Sequence, residues 1–252
     1  MLNRLPVILP LVASLNAGCE PVEFMDWRMV DGFVEEGVVH PYVWPESQKI
    51  SLLTPCVPNA LVHAALIQSV QEINSLLDEV ERAPSIEWNG VIGNDEGSCN
   101  SDFNDENITV ASLYGRIAIL GDNSSQANWK DGRDVRTAAY SNQVIYNLAK
   151  ADSLRGCAVW LPTETVDVEQ ERHEGLDTTV ILDRFSYIIS HELLHCLGVG
   201  HSDSRNAVMH WRLPSDSFDR DFSYEEEALR CMYGTPYEKG CQDKMKRVIL
   251  YK

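Results

Sequence analysis

The chain has 252 residues, of which 44% are hydrophobic and 23% are charged. This composition excludes a disordered polyelectrolyte and a polytopic membrane protein, and the length suits one well-cored domain of roughly 150 to 200 residues with some additional chain. Asp and Glu number 38 against 21 Lys and Arg, which gives a formal net charge of -17. Because such a charge repels a phosphate backbone, we expect no nucleic-acid partner.

The N-terminus has the organisation of an export signal. A positive charge precedes the mostly apolar residues 5–15, a stretch too short to span a bilayer as a helix. The segment ends in Ala17-Gly18-Cys19 and resembles a bacterial lipoprotein signal, in which the cysteine is lipidated and becomes the mature N-terminus. We therefore predict a signal peptide over 1–18, with either lipidated Cys19 as a membrane anchor or cleavage near Ala17 and free secretion.

The cysteine count favours the lipid anchor. Of the seven cysteines, removal of Cys19 leaves an even number that suits disulfides in an oxidising compartment. The sequence does not choose among their pairings. The remaining cysteines are Cys56, Cys99, Cys157, Cys196, Cys231 and Cys241.

Secondary-structure signals begin near residue 49. Residues 19–47 are acidic, contain several prolines and show no sustained period, which indicates a pro-segment or linker. A strand is predicted over 49–53 and is followed by an amphipathic helix that starts near Pro58. Its apolar stripe consists of Val62, Leu66, Val70, Ile73, Leu77 and Val80.

The middle of the chain alternates strands and helices. Strands are predicted over 114–120 and 157–161, with a helix between them over 136–150. Residues 92–107 form a polar, acidic loop. A solvated loop is the simpler interpretation, and a Ca²⁺ site is the alternative because calcium prefers several oxygen ligands.

The most informative segment reads His191-Glu192-Leu193-Leu194-His195. It continues a helical apolar pattern, so His191 and His195 lie one turn apart on the same helix face, where both imidazoles can bind one zinc ion. Glu192 is one step round the helix. It is therefore poorly placed as a third ligand, but it can reach a metal-bound water as a general base.

The residues that follow provide a third ligand. Gly198 lies where the helix should end in a residue with positive φ, which allows the chain to reverse. His201 can then return to the metal, so that three neutral imidazoles leave one tetrahedral position open. Cys196 is one helical step from His195, and we predict a core or disulfide role for it rather than metal binding.

This segment resembles the metzincin signature, in which the three-histidine motif is followed by a Met-turn. Met209 is the candidate methionine, and Ser202 and the short spacing from His201 to Met209 resemble the matrixin family (peptidase family M10 type) in a bacterial secreted or lipoprotein form. The resemblance places Trp211 in the wall of the substrate pocket and makes His210 a bystander or pocket-lining residue. A second similarity lies in residues 222–234, where Ser223 and Glu226 predict a capping box.

The resemblance implies an α+β fold, the metzincin or zincin-like catalytic domain. Such a domain has a twisted mixed β-sheet, two long helices above the cleft and an irregular lower subdomain that ends in a helix. It would cover residues 48–235, with 236–252 as a C-terminal tail. The implied function is that of a zinc metalloendopeptidase (EC 3.4.24 type) with protein or peptide substrates, and we expect a monomer.

Two alternatives and one hypothesis accompany this interpretation. The chain could be a catalytically silent, zinc-containing surface module that binds peptides, but such a module would not need Glu192 as a base. It could also be a protease restricted to one partner protein. By the same resemblance, Asp26 or Asp31 could bind the metal and keep the enzyme latent, as in bacterial members held by a short acidic pro-segment.

Overall fold

The computed structural model describes residues 26–30, 32–54, 60–91, 114–122, 140–148, 151–162, 177–210, 220–234, 239–245 and 248–250. These residues form a mixed α+β structure of nine strands and four helices. The strands are β1 (Asp26–Arg28), β2 (Gly32–Glu35), β3 (Val38–Pro41), β4 (Lys49–Thr54), β5 (Ser85–Val91), β6 (Arg116–Asp122), β7 (Tyr140–Leu148), β8 (Ala151–Pro162) and β9 (Val248–Leu250). The helices are α1 (Ala60–Asp78), α2 (Thr178–Cys196), α3 (Ser223–Tyr233) and α4 (Lys239–Met245).

Five strands form the main sheet, in the order β5-β4-β6-β8-β7. The pairings from β5 to β8 are parallel, whereas the edge strand β7 is antiparallel to β8. In β4, Ile50 and Leu52 are fully buried and Lys49 is exposed, because alternate residues of a strand face opposite sides of the sheet. The strands predicted at 49–53, 114–120 and 157–161 are confirmed in type, with shifted ends.

The two long helices pack against each other and contact the sheet. The predicted apolar stripe of α1 is buried from Val62 to Leu77, so the helix interpretation of this segment is confirmed. Small residues bring the helices close together: Ser69 Oγ donates to the Ser186 carbonyl oxygen at 2.9 Å. Within the described ranges, no helix combines the length and apolarity needed to cross a bilayer.

The helix predicted over 136–150 is wrong. Residues 140–148 form strand β7, which pairs with β8 from Tyr140 opposite Trp160 to Leu148 opposite Ala151. Tyr, Val and Ile in this stretch favour strands, and the adjacent antiparallel partner satisfies the backbone hydrogen-bonding groups that a helix would satisfy internally. The interaction between the two strands, rather than local propensity, decides the conformation.

Both ends of the described chain join one structure, which we call the terminal brace: the described residues of 26–44 and of 239–250. Strand β1 pairs with β9, so that Asp26 lies opposite Leu250, and β2 pairs with β3 as a hairpin. The Gln242 side chain exchanges two hydrogen bonds with the Val39 backbone, at 2.9 and 3.0 Å. The Cys231–Cys241 disulfide joins α4 to α3.

The brace shares the core of the main sheet. Met29, Val30, Val39, Trp44 and Met245 are at most 5% exposed and belong to the same apolar cluster as the sheet and long helices. In this structure, the described residues of 29–44 therefore pack as part of the domain. The assignments of 19–47 to a pro-segment or linker and of 236–252 to a tail stay predictions about the mature protein. Asp31 and Cys19 lie outside the described residues.

Candidate metal centre

Helix α2 contains His191 and His195, the first two of the three predicted metal ligands. Its N-terminus is capped by Asp177, whose carboxylate accepts from Thr179 N at 3.0 Å, and this hydrogen bond lowers the pKa of Asp177. The apolar face of the helix packs into the core, which buries its C-terminal half completely. His191 and His195 lie on this buried half, with 3% and 6% of their surface exposed.

The turn after α2 returns the chain to the two histidines. Gly198 has φ of 96°, as the sequence predicts for this position. A Cβ here would lie 2.4 Å from the Tyr42 carbonyl oxygen and 2.6 Å from Met232 Cε, so the site also requires glycine for lack of space. The chain then reaches His201, which is 2% exposed.

The three imidazoles meet at a single point. His201 Nε2 lies 3.2 Å from His191 Nε2 and 3.2 Å from His195 Nε2. Three nitrogens at about 2.05 Å from a tetrahedral zinc would be separated by about 3.3 Å, so the spacing suits one ion of this size. The three buried histidines therefore form a group that can hold a metal ion.

Backbone carbonyls set the orientation of two of the rings. His191 Nδ1 lies 2.8 Å from the Val208 oxygen, and His195 Nδ1 lies 2.9 Å from the Val199 oxygen. A carbonyl only accepts hydrogen bonds, so each Nδ1 carries the proton and each Nε2 presents its lone pair to the central point. This is the tautomer that metal binding through Nε2 requires.

The protonation state also suits a metal ligand. Burial lowers the pKa of His191 to about 4, and it lowers the pKa values of His195 and His201 well below the usual range. Repulsion between the neighbouring imidazoles acts in the same direction. All three rings are consequently neutral near pH 7, as ligation demands.

Met209 lies in a buried turn that supports the first ligand. Tyr187 donates its hydroxyl hydrogen to the Ala207 oxygen at 2.9 Å, and Ser202 N donates to the Met209 oxygen at 2.8 Å. Met209 N donates to Glu225 Oε1 at 2.6 Å. Because the Val208 oxygen contacts His191, these bonds hold the backbone that orients that ring.

Glu225 is a site residue that our sequence analysis missed. It is fully buried on α3, and its burial raises the pKa of the carboxyl to about 7. Glu225 lies on the inner face of the helix, because it precedes the buried residues Ala228 and Leu229 by three and four positions. This helical spacing was visible in the sequence. The predicted capping box is wrong: α3 starts at Ser223, whose backbone N donates to the Asp221 carboxylate, and Glu226 instead pairs with Arg230.

The remaining predicted site residues have different outcomes. Glu192 is 2% exposed and adjoins His191, and Met209 is fully buried. Trp211 and the acidic loop 92–107 lie outside the described residues, so the pocket role and the calcium site stay predictions. Cys196 forms a disulfide with Cys157, which confirms its structural role.

These observations define a mixed α+β protein with a buried three-histidine group that can hold a metal ion. No protein-family model matches the chain, and none of the curated proteins does. Among solved structures, the chain is similar to metalloproteinase-II from Bacteroides fragilis, with a TM-score of 0.37 and 18% identity. The match covers 80% of this chain and 54% of that one, so the chain spans about half the length of its structural neighbour. A likeness at this level assigns neither a family nor an activity.

Proposed function

We propose that the protein is a zinc-dependent endopeptidase of the metzincin type, similar to the matrixins. The observation that carries this proposal is the convergence of three neutral imidazoles, with the Nε2 atom of His201 3.2 Å from each of the other two Nε2 atoms, beside a buried glutamate. Nitrogen ligands at this spacing fit zinc better than the oxygen-preferring Ca²⁺ or Mg²⁺. Three protein ligands also leave one tetrahedral position open, as catalytic zinc sites do.

His191, His195 and His201 would hold the ion. Zinc bound in such a site lowers the pKa of a water molecule to about 7 and polarises a carbonyl. Glu192 would take the proton from the attacking water and then deliver it to the departing amine. The buried setting of Glu192, 2% exposed, favours such proton transfer because it removes competing solvent.

The matrixin assignment rests on the resemblance of the sequence motif. Met209 would form the apolar floor beneath the metal, and its complete burial is compatible with that role. Trp211 would line the pocket for the residue after the cleaved bond. The metzincin layout, with two long helices above the cleft and an irregular lower part that ends in α3, belongs to the same proposal.

The alternative function is a surface module that holds zinc and binds peptides without cutting them. The buried Glu192 beside the ligands disfavours it, because a binding site gains nothing from an acidic group there. For the cellular setting we propose export by the 1–18 signal, with Cys19 as lipid anchor or a freely secreted form. We propose protein or peptide substrates, a monomeric state and no nucleic-acid partner.

The test is cleavage of a mixed peptide library by residues 19–252, with bound zinc quantified. Glu192→Gln is the central variant because it preserves side-chain shape and removes the base. We expect peptide cleavage to fall about 10²- to 10⁴-fold while about one zinc per chain is retained. A chelator-treated sample should lose both the metal and the activity.

Two outcomes would count against the proposal. Zinc bound by residues 19–252 with no cleavage of any peptide would favour the binding module. Equal cleavage by the wild type and Glu192→Gln would exclude the glutamate as general base. Cleavage of one partner protein, with no cleavage of the library, would instead identify a processing protease.

A further inference from the structure

The turn between the second and third ligands is in contact with the N-terminal part of the brace. Gly200 N donates to the Met29 oxygen at 2.9 Å, and Val30 forms an antiparallel bridge with Val199. The Trp44 indole Nε1 donates to the Cys196 oxygen at 2.8 Å. Three residues of the turn, Cys196, Val199 and Gly200, are therefore bonded to residues more than 150 positions earlier in the chain.

These contacts satisfy backbone groups that the helix leaves without partners. The last carbonyls of a helix have no intrahelical donor, and Cys196 ends α2. Trp44 supplies a donor to its buried carbonyl, and Tyr233 donates its hydroxyl hydrogen to the Leu197 oxygen at 2.9 Å. The indole of Trp44 is needed here, because the loss of its N–H would leave the buried Cys196 carbonyl without this donor.

The position of this turn determines where two of the candidate metal ligands lie. The Val199 oxygen fixes the His195 ring through Nδ1, and Gly200 immediately precedes His201. A displacement of residues 196–200 would thus rotate His195 and shift His201 in the same event. The backbone at Gly198 has little room to move, because the Tyr42 oxygen lies within 2.4 Å of the position that a Cβ would occupy.

We infer that residues 29–44 are a permanent part of the metal centre, and that Trp44 is a positioning residue for His195 and His201. Proteolytic maturation would then leave residues 29–44 in place, contrary to removal of a pro-segment that ends at residue 47. The inference rests on the three-histidine group as a metal site, but it does not depend on peptidase activity.

The test compares Trp44→Phe with Trp88→Phe in otherwise unchanged protein. Both substitutions remove an indole N–H and keep an aromatic ring, but the buried Trp88 Nε1 donates no hydrogen bond to the described residues. Zinc affinity is measured by competition with a chelator, and ligand geometry by the visible absorption of the Co²⁺-loaded protein. We expect Trp44→Phe to weaken zinc binding about threefold to tenfold and to change the Co²⁺ spectrum, and Trp88→Phe to leave both unchanged.

A purely structural role gives a different result. In that case Trp44→Phe would lower the denaturant midpoint of the metal-free protein, but the folded protein would keep the wild-type Co²⁺ spectrum and zinc affinity. This outcome overturns the inference. Absence of peptide cleavage in every protein, the wild type included, together with the expected change in zinc affinity and Co²⁺ spectrum of Trp44→Phe, would count against the proposed peptidase function alone.

A second measurement uses the wild type and stands even if Trp44→Phe fails to fold. Hydrogen–deuterium exchange is compared between metal-free and zinc-loaded protein for peptides that cover 29–44 and 191–201. Because metal binding stabilises whatever is coupled to the site, we expect zinc to slow exchange in both segments. Protection of 191–201 with no change in 29–44 would refute the inference.

Discussion

The hydrogen bonds within the metal-binding turn and those that join the two ends of the chain in the terminal brace span very different distances along the sequence. In the turn, Gly198 N donates to the His195 oxygen and Val199 N to the Leu194 oxygen, within a few residues. In the brace, Gln242 bonds to Val39 across 203 positions. The turn can form as soon as α2 forms, whereas the brace requires both ends of the chain to be in place. Ligand spacing is thus a local property, and ligand rigidity depends on distant residues.

The disulfides provide the largest expected effect. Replacing Cys157 and Cys196 with alanine should lower the free energy of unfolding by about 4 kcal/mol, and replacing Cys231 and Cys241 by about 3 kcal/mol. The difference follows from sequence separations of 39 and 10 residues, since closing a longer loop restricts the unfolded chain more. Urea unfolding of the metal-free variants measures both values. The reverse order would show that the loop model does not describe these crosslinks.

Alanine substitutions at three glycines distinguish the stability cost of a positive φ from the cost of steric crowding. Gly198→Ala should cost about 3 to 4 kcal/mol, because the site combines positive φ with two close contacts. Gly37→Ala, in the hairpin of the brace, has φ of 79° but nothing within 4 Å, and should cost about 1 to 2 kcal/mol. Gly240→Ala, in α4 and without close neighbours, should stabilise by about 0.5 to 1 kcal/mol. Chemical denaturation checks the series, and equal costs at Gly198 and Gly37 would contradict the steric argument.

Glu225 makes the pH dependence of stability differ between the wild type and Glu225→Gln. Its pKa of about 7 in the folded protein exceeds the ordinary value of 4.5, so ionisation opposes folding and the wild type loses stability from this group as pH rises from 4.5 to 7. Glu225→Gln removes this loss and should exceed the wild type by up to about 3 kcal/mol above pH 7.

Stability of the metal-free proteins measured from pH 4.5 to 8 checks this prediction. The three histidines have the opposite effect in the same pH range, because their lowered pKa values increase the stability of the folded protein as pH rises towards 6.5. Both proteins contain these histidines, so their contribution cancels in the difference. Glu226→Gln, at the next residue of α3 and at a partly exposed partner of Arg230, is the matched control and should change stability by less than about 1 kcal/mol. Parallel curves for Glu225→Gln and the wild type would exclude the effect.

The smallest expected effect is at the rim of the brace. Gln242→Ala removes two part-buried hydrogen bonds to the Val39 backbone, but Gln242 is itself only partly buried, so water can take the place of its side chain and the cost should be about 1 kcal/mol. Metal affinity should change less than in Trp44→Phe, because the two hydrogen bonds that are lost go to Val39 and not to residues 196–200. A larger loss of zinc binding than that of Trp44→Phe would place the coupling between brace and site elsewhere.

Local patterns predicted part of the fold and most of the candidate site. The stripe from Val62 to Leu77 predicted α1, and the spacing of His191, His195 and Gly198 predicted the geometry of the ligands and the turn. Strand β7 was misjudged, because its conformation depends on pairing with β8. Glu225 was missed because its partner, the Met209 amide, is brought to it only by folding.

The sequence by itself determined which side chains can bind a metal and that a glycine must end the helix that carries two of them. These features depend on the 3.6-residue period and on the φ preference of single residues, both of which act over a few positions. The tertiary structure decided which backbone groups hold those side chains: the Met29 oxygen, the Trp44 indole and the Glu225 carboxylate. Such contacts have no periodic signal, because they depend on packing between segments that meet only when the whole chain is folded.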